Sequence, residues 1–170
     1  MSGTMNFSSL KEYFYKQYNA CLLRMLLSMG VFLLIYYLSL SETISPYIRV
    51  EELIDFLRYT CLAMILITLT IVHLEMYRRL KSHAEVVGLG RKLDLYNSVV
   101  RMRMKTFLAI SLFLAAGFFF TGHTWFSIYF ACMIGWFLVQ WPTPQNVSNQ
   151  LKLKGDERTM VMTKGEAFKF

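Results

Sequence analysis

The sequence predicts an all-α integral membrane four-helix bundle, with both termini cytoplasmic and a cytoplasmic helical hairpin extension. Three observations predict it. Four apolar segments recur along the 170 residues, at approximately 22–40, 56–77, 106–121 and 125–141. The chain is 55% hydrophobic and 16% aromatic, with a mean hydropathy of +0.40, too apolar for an ordinary soluble domain of this length. Its charges are also sorted by segment. A bilayer core about 30 Å thick is crossed by a helix of about 20 apolar residues. A soluble bundle would keep a polar face along every helix, and stretches such as 31–35 and 112–120 have none.

Residues 1–19 are expected to form an interfacial amphipathic helix. Leu10, Tyr13, Phe14 and Tyr18 fall near one helical face, with Lys11, Glu12 and Lys16 elsewhere, a pattern suited to the headgroup boundary. The four-span membrane domain then occupies 20–141. Span one has no small-x-small cleavage site before 41–43, so it is read as a span rather than a removed leader. Arg24 near its inner end is long enough to reach the headgroups. The following loop carries Glu42, Arg49, Glu51, Glu52 and Asp55. Residues 50–55 are expected as a short surface helix, with Asp55 and Arg58 spaced as an i, i+3 ion pair.

Span two is expected to run on into a cytoplasmic hairpin over 78–105. Gly88-Leu89-Gly90 supplies the backbone freedom to reverse direction there. Spans three and four are separated only by Thr121-Gly122-His123-Thr124, which requires a tight antiparallel helical hairpin. The cytoplasmic tail, 142–170, reads as ordered. Thr143 is placed to cap a helix beginning at Pro144, and Asp156 to cap a second one through Met162.

The net charge of +7 comes from 18 basic and 11 acidic residues. The second interspan segment holds Arg78, Arg79, Lys81, Arg91, Lys92, Arg101, Arg103 and Lys105 against Glu85 and Asp94. Under a four-span topology every basic segment falls on one side, so the positive-inside rule places both termini inside. The absence of an organelle-targeting segment favours a bacterial cytoplasmic (inner) membrane.

Seven of these cations, Arg78, Arg79, Lys81, Arg91, Lys92, Arg101 and Arg103, are candidates for contact with anionic lipid or a partner, each contributing on the order of 1 kcal/mol near an anionic surface. Ser111, Ala115, Ala131 and Gly135 are candidates for close helix packing, with Ala131 and Gly135 spaced as a small-xxx-small contact. No catalytic residue, cofactor or metal is expected. The three cysteines, Cys21, Cys61 and Cys132, form no short-spaced pair. Arg78-Arg79-Leu80-Lys81-Ser82-His83 has an Arg-x4-His spacing that resembles the RNA-cleaving motif of HEPN-type nucleases. Only this hexapeptide matches, and a membrane-proximal basic helix accounts for the same residues, so a nucleic-acid partner is not expected.

The span centres lack Asp, Glu, Lys, Arg and His, which argues against a proton-coupled pump. The expected role is a non-enzymatic subunit or assembly factor of a membrane complex, in contact with the bilayer and with a membrane protein partner or further copies of itself. One alternative is a small homo-oligomeric channel lined by Thr60, Thr68 and Thr70. Another is an interfacial enzyme using His73 and Glu75 on a lipid-like substrate.

Overall fold

The computed structural model describes residues 9–43, 45–82 and 88–165, and every regular element among them is an α-helix. In chain order these are α1 (Leu10–Leu40), α2 (Glu51–Ser82), α3 (Leu89–Thr121), α4 (Thr124–Val139), α5 (Pro144–Gln150) and α6 (Gly155–Met162). At about 1.5 Å per residue, the first three are each roughly 46–50 Å long, well beyond a bilayer core of about 30 Å. All three are long and apolar enough to cross a membrane, and α4 with α5, bent by 77°, makes a fourth candidate if the pair is counted as one span.

The helix boundaries have local causes. Ser9 opens α1, its Oγ accepting the Glu12 amide at 3.2 Å, in the Ser-x-x-Glu arrangement of a capping box. Residues 10–19, expected as a separate interfacial helix, are continuous with the first apolar segment in one 31-residue helix. Residues 50–55, expected as a short surface helix, are corrected likewise: α2 begins at Glu51 and runs unbroken, with Glu51 and Glu52 in its first turn, where the helix dipole favours acidic groups. Arg58 pairs with Asp55 at 3.3 Å.

Gly88 precedes α3 with φ +103°, and Gly122 ends it in the left-handed conformation with φ +63°. Backbone at such angles suits glycine, which has no Cβ to clash. His123 then caps α4. The 16 residues of α4 span only about 24 Å, and the helix stops where Pro142 and Pro144 follow, since proline removes a donor and restricts the residue before it. Thr143 caps α5 through the Asn146 amide at 3.2 Å. Asp156 does not cap α6: the helix begins at Gly155, and Asp156 lies within its first turn.

The central helix is α3, which packs against α1, α2 and α4. Its buried residues Tyr96, Val100, Arg103, Phe107, Leu114 and Phe118 recur at spacings suited to one helical stripe. In α3 44% of the apolar window is buried, against 17% in α1 and in α2, so the flanking helices turn most of their apolar surface outward. Tyr13 Oη donates to the Leu93 carbonyl at 3.1 Å, while Phe32 meets Phe118 with ring centroids 5.6 Å apart. These contacts set α1 parallel to α3. Phe107 stacks on Phe137 at 4.5 Å, which sets α4 antiparallel. Beyond the α3–α4 turn, the Ile48 amide donates to the Phe120 carbonyl at 3.0 Å, tying the α1–α2 loop to the end of α3.

The basic residues gather at the opposite end, where the tail docks. Val147, Leu153 and Val161 are buried in the main core, and Lys92 Nζ meets Glu157 Oε2 at 2.6 Å, the two side chains 20% and 32% exposed. Ion pairs of this partial exposure contribute about 1 kcal/mol or less. Glu157→Lys replaces that attraction with repulsion from Lys92. Limited chymotrypsin digestion of the detergent-solubilised protein, for which the substitution adds no cleavage site, is expected to cut the variant's tail several-fold faster than the wild type, with the bundle fragment left intact.

Candidate functional site

The basic end holds a cavity of about 440 Å³ between the last turns of α2, the middle of α3, the end of α4 and α5. Arg103 forms its polar focus. The side chain belongs to the buried stripe of α3, between Val99 and Val100 on one turn and Phe107 on the next, and only 4% of it is exposed. Its Nη2 donates to Gln150 Oε1 at 2.7 Å, and its Nη1 to the Gln140 carbonyl at 3.4 Å. Its Nε points at Met76 Sδ at 3.3 Å. One guanidinium thus joins α2, the end of α4 and α5 to α3. Every one of these acceptors is uncharged, and no Asp or Glu among the described residues pairs with Arg103.

The walls are mixed. Met76, Tyr77, Leu80 and Leu151 supply apolar surface, and the exposed Lys81 and Lys152 add positive charge. Lys152 has φ +51°, an uncommon conformation for a residue with a Cβ, on the turn between α5 and α6. His73 also lines the cavity. No carboxylate lies among the described lining residues.

A second, smaller cleft of about 50 Å³ lies between α1 and α3. Arg24 and Arg101 flank it, with Gln17 and Asn97 buried beside them.

The structure separates residues that the sequence grouped by charge. Arg78, Arg79, Lys81 and Arg91 are exposed, Lys92 and Arg101 are half-buried, and Arg103 is buried. Arg79 pairs with Glu75 at 2.9 Å, and Lys92 with Glu157. Arg103 therefore stands apart from the exposed basic surface and reaches the cavity from the buried side. Its spacing from Tyr96, Val100 and Phe107 was the available signal, because it puts the side chain on the apolar face of α3. Gln140, Asn149, Gln150 and Lys152 carried no comparable signal: Gln140 ends α4, and the other three join the site because α5 is bent from α4 by 77° after Pro142. His83 of the Arg-x4-His spacing lies outside the described residues.

The four small residues divide as well. Ser111 and Ala115 are buried, at 1% and 2% exposure. Ala131 and Gly135 are exposed, and a Cβ added at Gly135 would meet nothing within 4 Å. Both therefore lie on the face of α4 turned away from the described core. The glycine at the close approach of α3 and α4 is Gly117, whose added Cβ would lie 2.4 Å from Phe126 Cε1. Cys21 and Cys61 are buried and Cys132 exposed, all three as free thiols.

Comparison with family models, curated proteins and solved structures gives no match to this chain. Its fold defines a class: an all-helical, membrane-embedded protein with three to four candidate spans.

Proposed function

We propose that this chain is a non-enzymatic subunit or assembly factor of a membrane complex in a bacterial cytoplasmic membrane, with both termini inside. The observation that carries this reading is the outward face of α4. Ile128, Ala131, Cys132, Gly135, Leu138 and Val139 are all exposed and recur at spacings that put them on neighbouring parts of one helical surface. Acyl chains draw no particular advantage from small residues, whereas a partner helix does, because backbones then approach closely and gain dispersion contacts. The orientation rests on the basic residues at the end opposite the Glu42–Asp55 loop.

The alternatives draw less support. Thr70 is exposed, but its hydroxyl donates to the Leu66 carbonyl of its own helix at 2.8 Å, a common way for a membrane helix to satisfy such a group. For an interfacial enzyme, the Glu75 carboxylate is already engaged by Arg79.

Cysteine-directed cross-linking in native membranes tests the proposal, because Cys132 lies on the proposed contact face. The expected product is an adduct of defined mass containing a second membrane protein or a second copy. Gly135→Leu is expected to reduce both the adduct and the co-purifying complex about tenfold, the effect of about 1.4 kcal/mol lost at the interface. The empty surroundings of Gly135 leave the isolated fold unchanged. A protein that purifies from mild detergent as a lone chain, with no adduct from intact membranes, would refute the subunit reading.

A further inference from the structure

We infer that the cavity around Arg103 is a binding site for an anionic amphiphile, with Arg103, Lys81 and Lys152 holding a phosphate headgroup. The inference goes beyond the proposed role in a complex and does not depend on it. The first argument is charge. Taking a guanidinium out of water is costly unless an anion or a full set of hydrogen bonds compensates. Arg103 is almost fully buried, yet its partners are a thioether, a backbone carbonyl, a side-chain amide and the neighbouring Tyr96 hydroxyl, none of them an anion. A guanidinium has five N–H donors in a planar fork suited to oxyanions, and these neutral contacts do not use all five. A phosphate oxygen in the cavity would supply the missing counter-charge.

The surroundings favour the same ligand. Lys81 and Lys152 line the cavity, both exposed and neither in an ion pair among the described residues. The volume of about 440 Å³ falls within the range of ligand pockets, roughly 300–1,000 Å³. A freely soluble anion needs few apolar walls, yet Met76, Tyr77, Leu80 and Leu151 supply them. On the same face of α2, the half-buried Leu69 and the exposed Leu66 lie one and two turns before His73 and continue this apolar surface into the membrane-crossing part of the helix. A headgroup at Arg103 therefore leaves acyl chains a continuous apolar path along α2. Inorganic phosphate shares the headgroup chemistry but has no use for that path.

The test uses the full-length protein purified in mild detergent. Lipid retention is read by native mass spectrometry with phosphatidylglycerol, phosphatidylcholine or inorganic phosphate as the added probe. Phosphatidylglycerol is expected to stay bound and to raise the melting temperature, while phosphatidylcholine does neither. The double variant Lys81→Glu/Lys152→Glu changes only exposed side chains, and is expected to weaken phosphatidylglycerol retention at least about tenfold, given on the order of 1 kcal/mol per cation. Arg103→Met is expected to abolish retention, and Arg103→Lys to restore part of it, a graded response that a purely structural role would not give. Equal retention of the two lipids would overturn the inference, as would wild-type retention in the double variant. Stabilisation by inorganic phosphate that displaces phosphatidylglycerol would assign the site to a free anion and overturn the amphiphile.

Discussion

Gly117→Leu is expected to destabilise the bundle strongly. Gly117 of α3 lies close against Phe126 of α4, and even a methyl group there would lie 2.4 Å from Phe126 Cε1 and 2.7 Å from Cδ1. The Phe126 ring is 1% exposed, so the added atoms must displace a buried aromatic ring or push the helices apart. The turn joining them is too short to absorb the shift, since Gly122 and His123 alone connect α3 to α4. Overpacking in a filled core costs typically 1–3 kcal/mol, and a full leucine side chain belongs at or beyond the top of that range. At roughly 2–4 °C per kcal/mol for a chain of this size, the melting temperature in detergent is expected to fall by about 6–12 °C. Gly135→Leu in the same helical hairpin adds the same side chain and is expected to leave that temperature unchanged. Equal melting temperatures for the two variants would contradict the assigned α3–α4 contact.

That pair of glycines marks how far the fold was legible in the sequence. The apolar segments located the helices, and Thr121-Gly122-His123-Thr124 located the hairpin, because hydropathy and turn chemistry are local properties. Helix ends were less legible. A change in polarity marks where a span could leave the bilayer, but an α-helix continues until its hydrogen-bond pattern is interrupted. Nothing between Leu10 and Leu40 interrupts it, so a polarity boundary near residue 20 does not become a structural one. The prolines near the end of α4 do interrupt it, and the position of Pro144 together with Thr143 gave that cap correctly.

Helix facing was the least legible property. Ala131 and Gly135 have the spacing of a packing motif, as do many small residues in apolar helices, and spacing alone does not say which side of α4 meets α3. Phe126, Phe130, Met133 and Phe137 take the inward side, which turns the small residues out. Arg103 was obscured differently. Grouped by charge it resembles its basic neighbours, whereas grouped by helical phase with Tyr96, Val100 and Phe107 it belongs to the buried stripe. The rest of its cavity depends on where α5 lies after a 77° bend, a tertiary outcome that no local pattern in 140–152 encodes.

Phe32→Ala is expected to loosen α1 from the rest of the bundle. The ring of Phe32 stacks on Phe130 of α4 with centroids 4.0 Å apart and planes 5° apart, and it also meets Phe118 of α3 at 5.6 Å. Only 4% of it is exposed. One side chain therefore fills the junction of three helices towards the end remote from the basic cavity. Neighbouring residues are poorly placed to compensate, because Leu33 and Leu34 face outward and Ser28, one turn earlier, is small. Truncating a buried phenylalanine to alanine costs about 3–5 kcal/mol, with part of that cost coming from the void left behind. The void also removes the aromatic stacking, whose contribution beyond burial is about 0.5–1.5 kcal/mol. The expected result is a melting temperature in detergent lowered by about 10 °C or more, with faster proteolysis of the loop between α1 and α2. At the other end, Tyr13 keeps its hydrogen bond to the Leu93 carbonyl, so the basic end of α1 should remain docked. Hydrogen exchange is expected to rise in the second half of α1 and to stay near wild type around Tyr13. A uniform rise along all of α1 would mean that the helix docks as one unit, and that the Phe32 junction and the Tyr13 contact are not independent anchors.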